Sequence, residues 1–227
     1  MFTARKDEQD RLNALAETVI LPMLAEAEEV KVTGSGDPFA SAHFRHLLKR
    51  LNRRDFPRLK VTLQTNGLLF DAKAWGDLAL DGLVRDVWVS IDAATPGTYE
   101  ILRRGGRFER LLSNLAFVAG LRRAGRIGGL RLDFVVQRRN FREMPAAVEL
   151  GRAFGVDRVH FQMIRNWGTF TPAEFQAEYV GAPDHPEYED LLAVLRHPSL
   201  RPPFVDLSTL GALYERAAAA RPSAIAA

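Results

Sequence analysis

The sequence predicts an α/β protein built on parallel strands, either part of a (β/α) barrel or a doubly wound open sheet. Five short apolar or β-branched runs of strand length alternate with stretches that carry helical periodicity. The runs begin roughly 28 to 43 residues apart, which is the length of a βα unit whose helix returns the chain to a parallel neighbour. Periodicity alone does not separate the two architectures.

The predicted elements begin with a helix and then alternate between strands and helices. The helices cover residues 7–26, 42–52, 72–83, 96–124 and 144–154, and the strands cover 29–33, 59–63, 87–91, 130–136 and 159–164. Beyond Phe170 the periodicity weakens, because prolines break the chain into short pieces, and residues 211–227 form an Ala-rich stretch with helical propensity. We therefore predict one domain over residues 1–170 and an irregular or helical extension over residues 171–227.

The composition excludes several chemistries. The 227 residues include no cysteine, so they provide no disulfide, thiol nucleophile, cysteine-type zinc site or cysteine ligand for an iron–sulfur cluster. A formal net charge of +3 is too small a surplus to indicate a nucleic-acid partner. The charged start of the chain, and apolar runs well short of the roughly 20 residues of a membrane span, predict a cytoplasmic protein with no membrane partner.

Small and polar residues follow each predicted strand, and both architectures bind ligands at the carboxyl ends of their strands. These strand ends are residues 34–38 (GSGDP), 64–67 (QTNG), 90–92 (SID), 137–140 (QRRN) and 162–166 (QMIRN). Each also has a plain structural interpretation: Asp37 and Ser41 are competing helix N-caps, Asn-Gly is a common turn, and Asp92 or Thr95 can cap the helix that begins near Pro96.

Other catalytic and metal-binding patterns are absent from the sequence. His43 and His46 share a helix face without a third ligand at a suitable spacing, so we predict no metal site. The remaining histidines show no Ser-His-Asp order. An unrelated barrel enzyme, such as an aldolase or isomerase, needs a catalytic residue at a strand's carboxyl end, whereas Lys31 and Lys60 lie near strand starts.

Three of the strand-end segments together resemble the radical SAM superfamily. Residues 35–38 (SGDP) resemble its Gly-Gly-Glu-Pro motif with Ser for Gly and Asp for Glu, and residues 63–67 (LQTNG) resemble the end of its third strand. Residues 89–100 (VSIDAATPGTYE) are similar to the fourth-strand segment of peptide-modifying and SPASM-type members. The likeness covers about residues 28–168 and implies an incomplete parallel (β/α) barrel of the radical SAM type.

The resemblance also implies a site for S-adenosylmethionine at the strand ends. It places Ser35, Gly36 and Asp37 near the methionine amino group. Thr65 and Asn66, at the next strand end, also belong to the cofactor site that it implies. It places Ser90 and Asp92 near the ribose or methionine moiety and Arg103 or Arg104 near the carboxylate. Gln137 and Gln162 lie in the segments that correspond to the adenine side, and residues 165–168 correspond to the substrate side. It assigns no catalytic residue.

The absence of cysteine departs from the family pattern. Members of the superfamily hold a four-iron, four-sulfur cluster with a CxxxCxxC loop after the first barrel strand, and this chain lacks that loop and its ligands. The first predicted strand corresponds to the family's second, so we expect the first strand and the cluster loop to be missing. The resulting hypothesis is a radical SAM-type domain, related to oxidoreductases or maturases, that is truncated or inactive.

A second hypothesis belongs to a different class of protein. In it the chain is a pseudoenzyme subunit that retains a pocket for S-adenosylmethionine, a nucleotide or a peptide. The resemblance implies a small-molecule or peptide substrate in either case, and the sequence does not indicate the oligomeric state.

Overall fold

The fold consists of parallel strands joined by helices. The structure is a computed structural model that describes residues 6–32 and 36–219. In this part of the chain six parallel strands form one sheet and follow one another in chain order. They are β1 Glu29–Val32, β2 Lys60–Thr65, β3 Val84–Ser90, β4 Gly129–Val136, β5 Arg158–Met163 and β6 Val205–Asp206. The predicted α/β class is confirmed.

Helices precede and connect these strands. Their bounds are α1 Lys6–Leu15, α2 Leu21–Glu26, α3 Ala42–Arg50, α4 Ala72–Leu78, α5 Pro96–Leu102, α6 Phe108–Arg123, α7 Met144–Phe154, α8 Pro172–Glu178, α9 Tyr188–Leu195 and α10 Gly211–Ala219. A π-helical turn, Ala16–Ile20, joins α1 to α2. Because its flanking residues keep right-handed helical dihedrals, the predicted helix over residues 7–26 is one continuous helical segment.

The described chain divides into two compact units, and each is considered by itself. Unit 1 contains Met1–Ser90 and Glu109–Arg131, and unit 2 contains Ile91–Phe108 and Leu132–Ala227. The predicted division after residue 170 stays a prediction.

In unit 1, β2 pairs in parallel with β1 on one side and with β3 on the other. Glu29 lies opposite Lys60 at the start of the first pairing. The register of β2 with β3 shifts between Val61 and Thr62. Strand β2 buries Val61, Leu63 and Thr65 on one face and also Thr62 on the other.

The unit 1 core is built around aromatic side chains that follow the ends of the first two strands. The ring centroid of Phe70 lies 4.2 Å from that of Phe39 and 5.7 Å from that of Trp75. Phe70 is fully buried, and a buried aromatic side chain contributes on the order of 2 kcal/mol or more by leaving water. The loop after β1 is thereby packed against the segment after β2.

In unit 2, β5 pairs in parallel with β6, with Val159 opposite Val205 and His160 opposite Asp206. Helix α7 packs closely on β5, because a Cβ built on Gly151 would lie 2.5 Å from Cγ2 of Val159. Strand β5 buries Val159, Phe161 and Met163 and leaves the alternate residues partly accessible.

The predicted helix over residues 96–124 is wrong, because the chain forms α5 and α6 with a break between them. Gly105 has a φ of +80°. At Gly106, a Cβ would lie 2.9 Å from the carbonyl oxygen of Arg103 and 2.9 Å from Cε1 of Tyr99. The first glycine adopts a left-handed turn and the second permits a close approach to α5, so the helix ends there.

Other elements also differ from the predictions, among them the end of one helix and one additional strand. The helix predicted over residues 72–83 ends at Leu78, because Ala79 has a φ of +50° and caps it in the left-handed conformation. The extension beyond residue 170 contains a strand that the sequence analysis missed, the two-residue β6. Thr33 and residues 220–227, for which the sequence predicts a strand end and a helix end, lie outside the described residues.

Candidate functional site

The predicted site residues fall in both units. Gly36, Asp37, Thr65, Asn66 and Ser90 belong to unit 1, and Asp92, Arg103, Gln137 and Gln162 belong to unit 2. Ser35 lies outside the described residues. The structure brings together Asp37, Thr65 and Asn66 in one unit and Asp92 and Arg103 in the other.

Asp37 is buried, with 8% of its surface exposed. Its Oδ2 accepts hydrogen bonds from Oγ1 of Thr65 at 2.6 Å and from the backbone N–H of Asn66 at 2.8 Å. Its Oδ1 accepts from the N–H of Phe39 at 2.9 Å. Hydrogen bonds to a charged acceptor are stronger than those between neutral groups. The Asp37 carboxylate therefore holds the loop after β1 against the end of β2.

The turn after β2 is stabilised by its own side chains. Oγ1 of Thr65 accepts from the N–H of Gly67 at 3.0 Å, and Oδ1 of Asn66 accepts from the N–H of Leu68 at 2.9 Å. Gly67 has a φ of +76°, and its carbonyl oxygen accepts a hydrogen bond from Nδ2 of the buried Asn114 at 2.8 Å. The turn predicted at Asn-Gly is therefore present, and it depends on the preceding threonine.

Of the two predicted N-cap candidates, Ser41 occupies the N-cap position of α3 without a side-chain capping bond, and Asp37 does not cap the helix. Helix α3 begins after Ser41, whose hydroxyl contacts Nδ1 of His43 at 2.9 Å and makes no capping bond. Asp37 caps a turn that precedes the helix. Gly36 is exposed with a φ of +131°, and Ser90 ends β3 half-buried.

Asp92 is the most constrained of the predicted site residues in unit 2. It has a φ of +53°, which is uncommon for a residue with a side chain and costs on the order of 1 kcal/mol or more. Because β3 ends at Ser90 and Asp92 is left-handed, strand alternation does not extend to Asp92. Its Oδ1 accepts from the N–H of Val135 at 2.8 Å, and its Oδ2 forms an ion pair with Arg103.

Burial dominates the electrostatics around Asp92. It raises the pKa of the Asp92 carboxyl, while Arg103 and the N–H of Val135 oppose the rise. Tyr99 is also fully buried and its pKa is raised, first by burial and then by the nearby Asp92. Among the described residues, neither the Tyr99 hydroxyl nor Nε of Arg103 has a hydrogen-bond partner, although both atoms are buried. The surroundings of Asp92 thus combine a buried carboxylate with two buried polar atoms that have no partner among the described residues.

Asn140 is a site residue that the sequence analysis placed in a strand end without a role. It is fully buried, and its Nδ2 donates to the carbonyl oxygens of Asp92 and Val135, each at 2.8 Å. Its Oδ1 accepts from the N–H of Gln137 at 2.8 Å. Every hydrogen of the amide group is used, so Asn140 holds the left-handed Asp92 against the end of β4.

Glu143 was also missed. Its Oε2 accepts from the N–H groups of Ala94 and Thr95 at 2.7 and 3.1 Å, and its Oε1 accepts from the hydroxyl of Thr95 at 2.8 Å. The loop before α5 is thus capped by a carboxylate 48 positions later in the chain, whereas Asp92 and Thr95 make no side-chain cap. No local spacing identifies such a partner.

Gln137 and Gln162 are both half-buried. Gln137 bonds to Asn140 through its backbone, and Gln162 lies on the partly accessible row of β5. The following loop is organised by Asn166, which accepts from the N–H groups of Gly168 and Phe170 at 2.9 and 3.2 Å. This loop presents Trp167 with 80% of its surface exposed.

Strand β3 carries another feature that the sequence analysis missed. The indole ring of Trp88 lies between two cations, with Nζ of Lys31 at 3.7 Å and Cζ of Arg131 at 3.4 Å from the ring centroid. Cation–π contacts of this kind hold charged groups over a partly accessible strand face.

The described residues show neither a metal cluster nor a membrane span. Among residues 6–32 and 36–219, no three His, Cys, Asp or Glu side chains converge to hold a metal ion. In the same ranges, no helix combines the length and apolar character needed to cross a bilayer.

Sequence comparison identifies relatives for part of the chain. No protein-family model matches it. A probable GTP 3′,8-cyclase of Saccharolobus islandicus strain Y.N.15.51 / Yellowstone #2 is 33% identical over 136 residues, covering 58% of this chain and 40% of the relative. The corresponding protein of strain L.S.2.15 / Lassen #1 is 32% identical over the same length. The chain thus spans less than half the length of these curated relatives.

Structure comparison identifies solved proteins of the same fold. SuiB of Streptococcus suis, bound to S-adenosylmethionine, has a TM-score of 0.53 and 15% identity, covering 70% of this chain and 35% of SuiB. The protein anSMEcpe, bound to AdoMet, has a TM-score of 0.50 and 15% identity, and the match covers 72% of this chain and 48% of the anSMEcpe chain.

Both solved proteins contain bound S-adenosylmethionine, and the matched part of this chain shares their α/β fold. The resemblance predicted from the strand-end motifs, in a chain without the CxxxCxxC segment, is confirmed as a likeness in sequence to the curated relatives and in fold to the two solved proteins.

Proposed function

We propose that this chain is an S-adenosylmethionine-binding domain of the radical SAM type whose own residues do not ligate an iron–sulfur cluster. Such clusters are held by cysteine thiolates, and the 227 residues include none. Histidine and carboxylate side chains do not substitute, because no three of them converge within the described ranges. The residues present therefore do not fit the cluster, and we assign this chain no radical-forming step.

The arrangement around Asp92 carries the proposal of S-adenosylmethionine binding. Asp92 is held in a strained left-handed conformation by Asn140 and Val135, and such strain persists where the surrounding structure is built to maintain it. Its ion pair with Arg103 presents a carboxylate beside a guanidinium in a buried setting. The amino-acid end of S-adenosylmethionine carries an ammonium beside a carboxylate, so the two pairs have complementary charges.

The buried Nε of Arg103 supports the same proposal. A guanidinium nitrogen that is buried without a partner costs free energy, and a ligand carboxylate is the group that best satisfies it. We propose that Arg103 binds the ligand carboxylate and that Asp92 lies toward the ammonium group. When bound, S-adenosylmethionine supplies a cofactor capable of radical and group-transfer chemistry.

Titration calorimetry of the full chain with S-adenosylmethionine tests this function. We expect saturable binding that weakens about tenfold or more in Arg103→Gln, because a charged hydrogen bond is lost. Arg107→Gln is the matched control, because the Arg107 side chain is 80% exposed and its ion pair with Glu100 is long at 3.7 Å. The Arg107 variant should bind S-adenosylmethionine like the wild type. Circular dichroism checks that both variants fold. Absence of heat at millimolar ligand, or equal affinity of the Arg103 variant, would refute the proposal.

The alternative of a nucleotide-binding module is resolved by the same titration. Adenosine lacks the ammonium and carboxylate that Arg103 and Asp92 are proposed to recognise. We expect it to bind more weakly than S-adenosylmethionine and with an affinity that Arg103→Gln does not change. Equal affinity for both ligands in the wild type would favour the nucleotide-binding module.

A further inference from the structure

His160 and Asp206 form a partly buried hydrogen-bonded pair on neighbouring strands. His160 lies on β5, and its Nδ1 is 2.9 Å from Oδ2 of Asp206 on β6, the residue directly opposite in the strand register. The His160 side chain is 14% exposed and that of Asp206 is 34% exposed. Asp206 comes from the segment beyond residue 170, so this pair connects β5 to that segment.

The Asp206 carboxylate is held in its ionised form. Burial opposes ionisation, but the hydrogen bonds from His160 and from the N–H of Ser208 outweigh it, and the pKa of Asp206 is lowered. The Ser208 bond to Oδ1 is 2.9 Å long, and Arg158 lies 3.6 Å from Oδ2. Ser208 adopts a φ of +37°, so the backbone is strained at the residue that supports the carboxylate.

The partner of each ring nitrogen determines where a histidine carries its proton. Nδ1 of His185 accepts from the N–H of Glu187 at 3.0 Å, and Nδ1 of His197 accepts from the N–H of Ser199 at 3.2 Å. When neutral, these two rings therefore carry their proton on Nε2. A carboxylate oxygen only accepts, so neutral His160 must donate from Nδ1 and leave its lone pair on Nε2.

The unused nitrogen of His160 lies on the polar row of β5. Within residues 6–32 and 36–219, Nε2 of His160 makes no hydrogen bond. Arg158, His160 and Gln162 alternate with the buried Val159, Phe161 and Met163. His160 thus shares a strand face with Gln162, which the sequence analysis assigned to the cofactor site.

We propose that His160, oriented by Asp206, accepts a proton or hydrogen bond from an O–H or N–H group of a bound substrate. In the proton-transfer case the donor is an ammonium group: one N–H bond breaks, its electron pair stays on nitrogen as the lone pair of the free amine, and the proton goes to Nε2. The resulting imidazolium is stabilised by the Asp206 carboxylate, which stays ionised. The ligand class is therefore a molecule that carries a hydroxyl or ammonium group able to donate to Nε2.

Nitrogen-15 NMR of the full chain above the titration range of histidine tests the orientation. We expect His160 to carry its proton on Nδ1, and the Asp206→Ala variant to move it to Nε2, the tautomer of His185. Glu189→Ala, which removes an exposed carboxylate elsewhere, should leave the spectrum of His160 unchanged. A wild-type His160 protonated on Nε2 would overturn the proposal.

Modification by diethyl pyrocarbonate tests whether Nε2 is available and basic. Peptide mapping should show that Asp206→Asn slows carbethoxylation of His160 by about tenfold, in line with the loss of a supporting carboxylate, without changing the rate at His185. An equal rate at His160 in both proteins would assign the pair to stability alone. Neither measurement uses S-adenosylmethionine, so failure here leaves the proposed cofactor binding untouched.

Discussion

Asn140 donates a hydrogen bond of 2.8 Å to the carbonyl oxygen of Asp92, although the two residues lie 48 positions apart. The second N–H of the same amide bonds Val135 at the end of β4. One buried side chain thus holds a strained loop residue and a strand end in a fixed relation. The conformation of Asp92 therefore depends on the two hydrogen bonds that Asn140 donates as well as on its own backbone.

Replacement of Asn140 by alanine should destabilise the protein strongly. The change leaves the carbonyl oxygens of Asp92 and Val135 and the N–H of Gln137 without that partner in a buried site, at a cost of about 3 kcal/mol. Asn166→Ala is the control, because that exposed side chain also makes three hydrogen bonds and should cost less than about 1 kcal/mol. Urea unfolding measures both, and equal costs would contradict the prediction.

A double-mutant cycle between Asp37 and Thr65 should reveal coupling. Asp37→Asn removes a charge that accepts three hydrogen bonds and is expected to cost about 2 kcal/mol, and Thr65→Val removes one of those donors. Because both changes break the same 2.6 Å bond, the double variant should be about 1 kcal/mol more stable than the sum predicts. Strict additivity in urea unfolding would show that the bond contributes nothing.

Three glycine substitutions separate steric cost from backbone strain. Gly67→Ala places a Cβ 2.9 Å from Cδ1 of Leu111 and 3.0 Å from Cγ1 of Val89 at a φ of +76°, so we expect a loss of at least about 2 kcal/mol. Gly125→Ala, with open space at a φ of +69°, should cost about 1 kcal/mol from strain alone. Gly97→Ala, in α5 with open space, should stabilise by about 0.5 kcal/mol. Thermal unfolding gives the order, and any other order would be inconsistent with this packing.

The contribution of Asp206 to stability should depend on pH. Its folded-state pKa lies below the ordinary value of 3.8, so its stabilisation is present above that value and is lost as the pH falls through the folded-state pKa. The groups that face it are His160, Arg158 and the N–H of Ser208. Because the side chain is a third exposed, we expect Asp206→Asn to cost at most about 1 kcal/mol at pH 7.

The test of this dependence is the difference in unfolding free energy between wild type and Asp206→Asn at pH 7 and near pH 3. The difference should shrink at the lower pH, because protonation of Asp206 removes the advantage of the carboxylate. If the difference in unfolding free energy grew toward low pH, the carboxylate of Asp206 would not be the stabilising form, and the prediction would be wrong.

Local signals made some elements predictable. Helix 144–154 is confirmed at both ends, because a proline near its start and Gly155 with a φ of +66° beyond its end fix the boundaries within the chain itself. The break after α5 was not predictable in the same way. It depends on the contact of Gly106 with Tyr99, which exists only once the helix has formed and turned.

In the candidate site, too, some contacts were predictable from the sequence and others depend on residues far apart in the chain. Asp37, Thr65 and Asn66 meet as the parallel topology predicts, because strand ends of successive βα units lie side by side. Glu143 and Asp206 were missed, since each acts on a residue more than 40 positions away and neither belongs to a recognisable motif. Strand β6, with two residues, is too short to show any periodicity.

The carboxylate and amide contacts at the strand ends have a consequence for folding kinetics. The bonds made by Asp37, Asp92 and Glu143 close chain segments of 28, 43 and 49 positions, and each closure costs entropy before the bond is gained. We expect these bonds to form after the βα units have assembled, on the native side of the folding barrier. Their loss should then accelerate unfolding while leaving the refolding rate nearly unchanged, so that the lifetime of the folded chain depends on a few polar contacts at its strand ends.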